Sequence, residues 1–125
     1  MGLQTLLMAA RVLIVDDHPA FRAAARRLLE LEGYDVVGEA EDGLSAIAAA
    51  RALRPDFILL DVQLPDLDGF EVCQQLSGDE NPPAVVLTSS RDRSDYGPCL
   101  ATSAASGFLP KAELSAAGIA DILAA

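Results

Sequence analysis

The sequence predicts an α/β domain, a parallel sheet doubly wound by helices on both faces. Short, uninterrupted apolar runs recur at 12–15, 57–60 and 84–87, the first β-branched at three of its four positions, as in strands buried on both sides. Stretches with apolar residues at helical spacing separate them, and such alternation calls for parallel pairing through right-handed crossovers. The runs also end in polar residues of complementary types: Asp16-Asp17, Asp61, Thr88 and Lys111. Parallel strands bring their carboxyl ends to one edge, where open α/β sheets bind ligands.

Taken in order, Arg11-Val12-Leu13-Ile14-Val15 reads as the first strand, and Pro19 suits the first turn of the helix that follows. Phe21, Ala25, Leu28 and Leu29 make that helix's apolar stripe, Arg22, Arg26 and Arg27 fall mostly off it, and Gly33 stops it. Residues 35–40 form a weaker strand. Glu41-Asp42-Gly43 leads into a second helix with a narrow apolar face of Leu44, Ile47 and Ala48, which ends before Pro55. The strand 57–60 runs into Asp61, which alone reads equally well as a turn or cap residue. Asp68 followed by Glu71 resembles a capping box opening a third helix through Phe70, Val72, Cys73 and Leu76. Asp66 and Asp68 lack the twelve-residue pattern of a calcium loop and are assigned to loop and cap. A breaker cluster at 78–83 precedes the strand 84–87. The polar segment 89–97 ends in Gly97, so the fourth helix is short, starting at Pro98 and covering six to eight residues. A strand at 107–109, closed by Pro110-Lys111, and a last helix carrying Leu114, Gly118, Ile119, Ile122 and Leu123 complete the chain.

At 125 residues the chain is one domain, assigned to 11–125. Residues 1–10 have no basic lead and too short an apolar run for a signal peptide or a membrane span; they read as a flexible N-terminal extension, with Met8 an alternative start. A formal charge of −10 argues against direct nucleic-acid binding. Cys73 and Cys99, without a C-x-x-C spacing, are expected to be reduced core residues of a cytoplasmic chain. His18, the only histidine, is expected to be an exposed lead-in to the first helix rather than a ligand. No P-loop or dinucleotide fingerprint is present.

Three carboxylates at one edge repel, so either their pKa values rise or a cation joins them. Oxygen donors suit Mg²⁺. Asp16, Asp17 and Asp61 with Lys111 and one Mg²⁺ sum to zero charge, which admits a dianionic phosphoryl group that a bare acid cluster repels.

Four segments carry a family resemblance: Val-Leu-Ile-Val-Asp-Asp-His-Pro (12–19), Asp-Val-Gln-Leu-Pro-Asp-Leu-Asp-Gly (61–69), Val-Val-Leu-Thr-Ser (85–89) and Gly-Phe-Leu-Pro-Lys (107–111). Together, in this order, they resemble the receiver domain of two-component response regulators. The resemblance implies a flavodoxin-like (βα)5 fold with strand order 2-1-3-4-5. It implies a phosphoacceptor rather than an enzyme proper, with Asp61 phosphorylated by a sensor histidine kinase or phosphotransfer protein in a Mg²⁺-dependent reaction. Asp17 binds the metal directly, Asp16 through water, and Asp61 and the Gln63 backbone carbonyl complete the protein's share. Thr88 and Lys111 serve the phosphoryl oxygens. Phe108 matches the switch aromatic position, although ordinary core packing explains a Phe there nearly as well.

Lys111 is followed by Ala112, where the family often has a cis proline. Pro110-Lys111-Ala112-Glu113-Leu114 instead resembles the subfamily coupled to helix-turn-helix DNA-binding output domains. The chain is then either a receiver from a longer protein, which its abrupt Ala124-Ala125 end favours, or a stand-alone regulator; a phosphorylation-dependent homodimer fits both. Two rivals stay open. A phosphohydrolase forming an aspartyl phosphate places a second acid two residues after its nucleophile, where this chain has Gln63. A degenerate receiver that binds partners without phosphorylation has no need of an intact Asp17, Asp61, Thr88 and Lys111.

Overall fold

In the computed structural model, which describes residues 10–124, the chain forms one five-stranded parallel sheet. Its strands are β1 (Arg11–Val15), β2 (Asp35–Ala40), β3 (Phe57–Asp61), β4 (Ala84–Ser89) and β5 (Gly107–Pro110), in the order β2-β1-β3-β4-β5. This is the expected flavodoxin-like order. The extension assigned to residues 1–10 lies outside the described residues except for Ala10, whose carbonyl accepts from the Asp35 N–H at 2.9 Å. β3 is the middle strand and all five of its residues are buried. Side chains alternate across the sheet. Leu13, Val15, Ile58, Leu60, Val85 and Leu87 enter one core, and Val12, Ile14, Phe57, Leu59 and Val86 enter the other. Each fully buried Leu or Ile contributes roughly 1.5–3 kcal/mol, so an unbroken apolar run is what a central strand requires. The weaker strand β2 is irregular: Val12 pairs with Val36 and Leu13 with Gly38, passing over Val37.

Five helices lie on the two faces among the described residues: α1 (Pro19–Leu31), α2 (Gly43–Leu53), α3 (Gly69–Ser77), α4 (Pro98–Thr102) and α5 (Ala116–Ala124). In α1, Ala25 and Leu29 are buried with Phe21 and Leu28 packed beside them, as the stripe predicts. α2 corrects its predicted face. Leu44 is 65 % exposed and Ala48 is also exposed, while Gly43, Ala46, Ile47 and Ala50 are buried. α2 lies close enough to its neighbours that a Cβ on Gly43 would come within 2.7 Å of the Leu67 side chain. Apart from Ile47, the residues facing inward have little or no side chain, and Leu44 faces solvent. Cys73 is buried, with its thiol pushed up in pKa by burial, but Cys99 is exposed on α4, contrary to its expected place in the core.

α4 is the short helix expected, starting at Pro98 and ending sooner, at Thr102; none of its residues is buried. A 3-10 turn at Arg93–Asp95, not anticipated, precedes it. The last helix begins at Ala116 rather than at Leu114, because residues 111–113 form a second 3-10 turn and the Ser115 hydroxyl accepts from the Gly118 N–H at 3.0 Å.

Two acids in the loop after β3 fasten it. Asp68 caps its own helix, accepting from the Glu71 N–H at 2.9 Å. Asp66 caps a different one: its carboxylate accepts from the Gly43 and Leu44 N–H groups of α2 at 2.6 and 2.9 Å. α3 starts hard against the end of β3. A Cβ on Gly69 would stand 2.7 Å from the Asp61 carbonyl oxygen and 2.9 Å from Val62 Cα, both backbone atoms with nowhere to yield. Gly69→Ala is therefore expected to destabilise the domain by about 2–3 kcal/mol, the cost of overpacking a rigid site, read as a lower urea midpoint at unchanged slope.

Candidate functional site

β1 and β3 both run into carboxylates because their apolar runs stop where the sheet's carboxyl edge meets solvent. Asp16 is fully buried, Asp61 is 2 % exposed, and the side chain of Asp17 is 36 % exposed. Lys111, delivered by the end of β5, stands 2.7 Å from Asp16 Oδ2 and 3.5 Å from Asp61 Oδ2. His18 Nδ1 lies 2.9 Å from Asp16 Oδ1 and 3.0 Å from Asp17 Oδ1. One ligand atom from each of Asp16, Asp17, His18 and Asp61 falls within 4.8 Å of the others. Thr88 pairs with Asp61 in the β3–β4 register and is fully buried, with no hydrogen-bond partner for its hydroxyl oxygen.

An acid pair, a buried acid, a hydroxyl and a lysine at the edge of a 2-1-3-4-5 sheet match the constellation that the four sequence segments foreshadow. Residues 12–122 match the sequence model of the response regulator receiver domain. The chain belongs to the response regulator receiver family.

Among relatives of this receiver, the DNA-binding response regulator MtrA of Mycolicibacterium smegmatis is 42 % identical over 90 residues, covering 70 % of this chain and 38 % of that protein. The response regulator MprA of Mycobacterium tuberculosis is 38 % identical over 104 residues, covering 83 % of this chain and 45 % of that protein. The chain spans about half the length of the curated relatives it matches. Among solved structures, the signal receiver domain of NarL from Mycobacterium tuberculosis superposes with a TM-score of 0.83 at 34 % identity, covering 94 % of this chain and 98 % of that one. A LuxR-family two-component response regulator from Aurantimonas sp. SI85-9A1 gives 0.82 at 30 % identity, covering 93 % and 86 %. No helix among the described residues is long and apolar enough to cross a membrane.

The receiver's acidic edge suits a hard divalent cation. Its carboxylate oxygens converge; Lys111 Nζ stands against Asp16 Oδ2 at 2.7 Å, whereas the buried Thr88 Oγ1 has no hydrogen-bond partner. An unsatisfied buried oxygen is costly unless a ligand completes it. Gln63 is exposed; its N–H donates to Asp61 Oδ1 at 3.3 Å. Phe108 is 1 % exposed, edge-on to Tyr96 at 5.7 Å, and beneath the Arg93 guanidinium, which also donates to the Phe108 carbonyl at 2.9 Å. Its ring therefore already lies inside the core. Tyr96 in turn shares a 2.6 Å hydrogen bond with the hydroxyl of Ser89, the residue after Thr88.

Two supporting residues were assigned by sequence to α1 alone. The ring of Phe21, placed on the core stripe, lies 4.5 Å below Lys111 Nζ, a cation–π contact that holds the ammonium over the acids. Arg22, placed off the stripe, donates to the Asp16 carbonyl at 2.6 Å and to Glu39 at 3.1 Å, tying the acid pair to β2. The only available signal was their place in the first turn of the helix that follows the acid pair, which does not distinguish a contact with the site from a place in the core or on the surface.

Burial is the main force raising the Asp61 carboxyl from its ordinary 3.8 to about 6; repulsion from Asp16 adds to it, while Lys111 and the Gln63 N–H oppose it. A carboxyl raised on folding favours the folded state while protonated. That contribution is complete below about pH 4 and is lost as the pH rises through about 6. Near neutral pH, metal-free, the ionised group therefore costs stability, on the order of 3 kcal/mol at about 1.4 kcal/mol per pKa unit. Asp61→Asn is expected to raise the unfolding free energy by about 2–3 kcal/mol near pH 7 and by under ~1 kcal/mol near pH 4, measured by urea denaturation in chelated buffer.

Proposed function

We propose that this receiver, residues 11–125, accepts a phosphoryl group on Asp61 from a sensor histidine kinase or a phosphotransfer protein. The reaction is Mg²⁺-dependent and takes place in the cytoplasm, and it sets the state of an output partner. The observation that carries this reading is the buried Asp61 carboxylate facing Lys111 at 3.5 Å beside an acid pair and a partnerless threonine hydroxyl. An Asp61 oxygen attacks phosphorus in line as the bond to the donor's imidazole nitrogen breaks, and that nitrogen keeps the electron pair. Asp17 and Asp61, with the Gln63 carbonyl, would hold Mg²⁺ directly and Asp16 through water. The ion, when bound, supplies charge neutralisation and oxygen alignment. Lys111 exchanges Asp16 and Asp61 for the new phosphoryl oxygens, and Thr88 gains its missing partner.

This is signalling chemistry rather than turnover of a substrate, and Gln63, two residues after Asp61, offers no acid for rapid hydrolysis. Because relatives such as MtrA are named as DNA-binding response regulators, the proposed output is a helix-turn-helix DNA-binding domain, with homodimerisation of the phosphorylated form as one means of control. The acidic receiver itself does not touch DNA. Incubation with a small phosphodonor and Mg²⁺ should add one phosphoryl group, about 80 Da by intact mass. Asp61→Asn should abolish the addition, and Lys111→Ala should keep the fold while slowing it. Addition undiminished in Asp61→Asn refutes the assignment.

The responsive element is proposed to be the segment after Thr88. α4 has no buried residue and is too short to be stable without packing, so it should open well below the global free energy. With Phe108 already buried, the change to be relayed through Thr88, Phe108 and Tyr96 is a shift in this segment's populations. Hydrogen exchange over residues 89–106 should be faster than in β3 and should change on phosphorylation. Protection equal to that of β3 in both states counts against the relay.

A further inference from the structure

We infer that His18 is a metal ligand, which makes the acidic edge a mixed nitrogen and oxygen site that holds borderline divalent ions such as Zn²⁺ and Co²⁺ more tightly than Mg²⁺. This rests on the reading of the edge as a cation site and adds a donor of a different chemical kind, one assigned by sequence to a mere helix lead-in.

The spacing of His18 and Asp17 is compatible with two neighbouring ligands of one ion. Ligands about 2.1 Å from an ion and at right angles to each other stand about 3.0 Å apart. His18 Nδ1 is 3.0 Å from Asp17 Oδ1, the acid proposed to hold the ion directly, and 2.9 Å from Asp16 Oδ1, the acid proposed to act through water; an Asp61 oxygen completes a group whose members all lie within 4.8 Å. Without an ion, the same spacing is that of an imidazole N–H shared by two carboxylates. Coordination through the Nδ1 lone pair leaves the ring's hydrogen on Nε2.

The chain holds the imidazole in place for this. His18 precedes Pro19, which restricts it to extended backbone, observed at φ −100° and ψ 109°. Its N–H donates to Asp16 Oδ1 at 2.8 Å, turning the residue toward the acids. At the N-cap of α1 its side chain makes no capping hydrogen bond, so the ring is spent on the acid cluster and not on the helix. Lys111 engages Asp16 through Oδ2, leaving Oδ1 on the His18 side. The fully buried Thr88 Oγ1, without a hydrogen-bond partner, independently marks the edge as built for a ligand.

Imidazole nitrogen sets the preference. Zn²⁺ and Co²⁺ accept nitrogen and oxygen donors together, whereas Mg²⁺ prefers oxygen and keeps its waters. His18 therefore adds affinity for the first group and almost none for Mg²⁺.

The test titrates the untagged chain with Co²⁺, followed by its visible absorption, and separately with Mg²⁺, in wild type, His18→Ala and Asp17→Asn. Wild type should bind Co²⁺ at least ~10-fold more tightly than Mg²⁺, and His18→Ala should weaken Co²⁺ about 10- to 100-fold while leaving Mg²⁺ within ~2-fold. Asp17→Asn should weaken both. Equal Co²⁺ affinity in wild type and His18→Ala, with Asp17→Asn impaired, overturns the role of His18 alone. Both ions unaffected in Asp17→Asn overturns the cation site itself. A second readout needs no variant: His18 is the only histidine, so its imidazole nitrogens are assigned without ambiguity. Zn²⁺ should shift Nδ1 in the ¹⁵N spectrum and Mg²⁺ should not; an unmoved Nδ1 at saturating Zn²⁺ overturns the inference.

Discussion

Everything at the functional edge depends on one electrostatic constraint: Asp16, Asp17 and Asp61 converge, and the ammonium of Lys111 stands against them. The fold does not relieve this repulsion. It imposes it, because β1 and β3 are adjacent parallel strands whose next residue after the apolar run is an acid in each case. The energy needed to hold Asp16 and Asp61 out of water comes from the apolar residues behind them, every one of which is buried in both strands from Val12 to Val15 and from Phe57 to Leu60. The raised pKa of Asp61 is the measurable sign of that stress.

Rigidity at this edge is built from short-range devices. Gly69 lets α3 begin against the Asp61 carbonyl, Asp66 ties the loop after β3 to the start of α2, and Arg22 ties the Asp16 carbonyl to Glu39 on β2. Phe21 limits where the Lys111 ammonium can go. The acids are therefore held at fixed separations, so that a cation among them would meet donors already in place.

The other side of β4 is built differently. Phe70, Tyr96 and Phe108 form a row of edge-to-face rings, with centroids 5.6 and 5.7 Å apart, that is anchored to Ser89 by the Tyr96 hydroxyl and to the Phe108 carbonyl by Arg93. Around this row lie a 3-10 turn and a five-residue helix with no buried residue. A stiff acidic edge joined to a weakly packed segment through Thr88-Ser89 is an arrangement in which a small change of charge at Asp61 has a yielding element to act on.

The strands, the short α4 and the identity of Asp16, Asp17, Asp61, Thr88 and Lys111 as strand-end residues were legible in the sequence. Burial on both faces demands an unbroken apolar run, and where it stops the next polar residue must lie at the sheet edge. The inner face of α2 was not legible, because an alanine-rich helix has little contrast between its sides and the choice of Ala46 and Ala50 over Leu44 is set by how closely the helix approaches its neighbours. Nor were the solvent position of Cys99, the capping of α2 by Asp66, the hold of Phe21 on Lys111, or the turn of His18 toward the acids. Each joins a residue to a partner that local periodicity does not name. The sequence by itself determined which residues reach the edge, since strand period and apolar continuity are local properties. Only the tertiary structure decided which of them touch, since contacts across elements depend on the twist of the sheet and on the depth to which each helix settles.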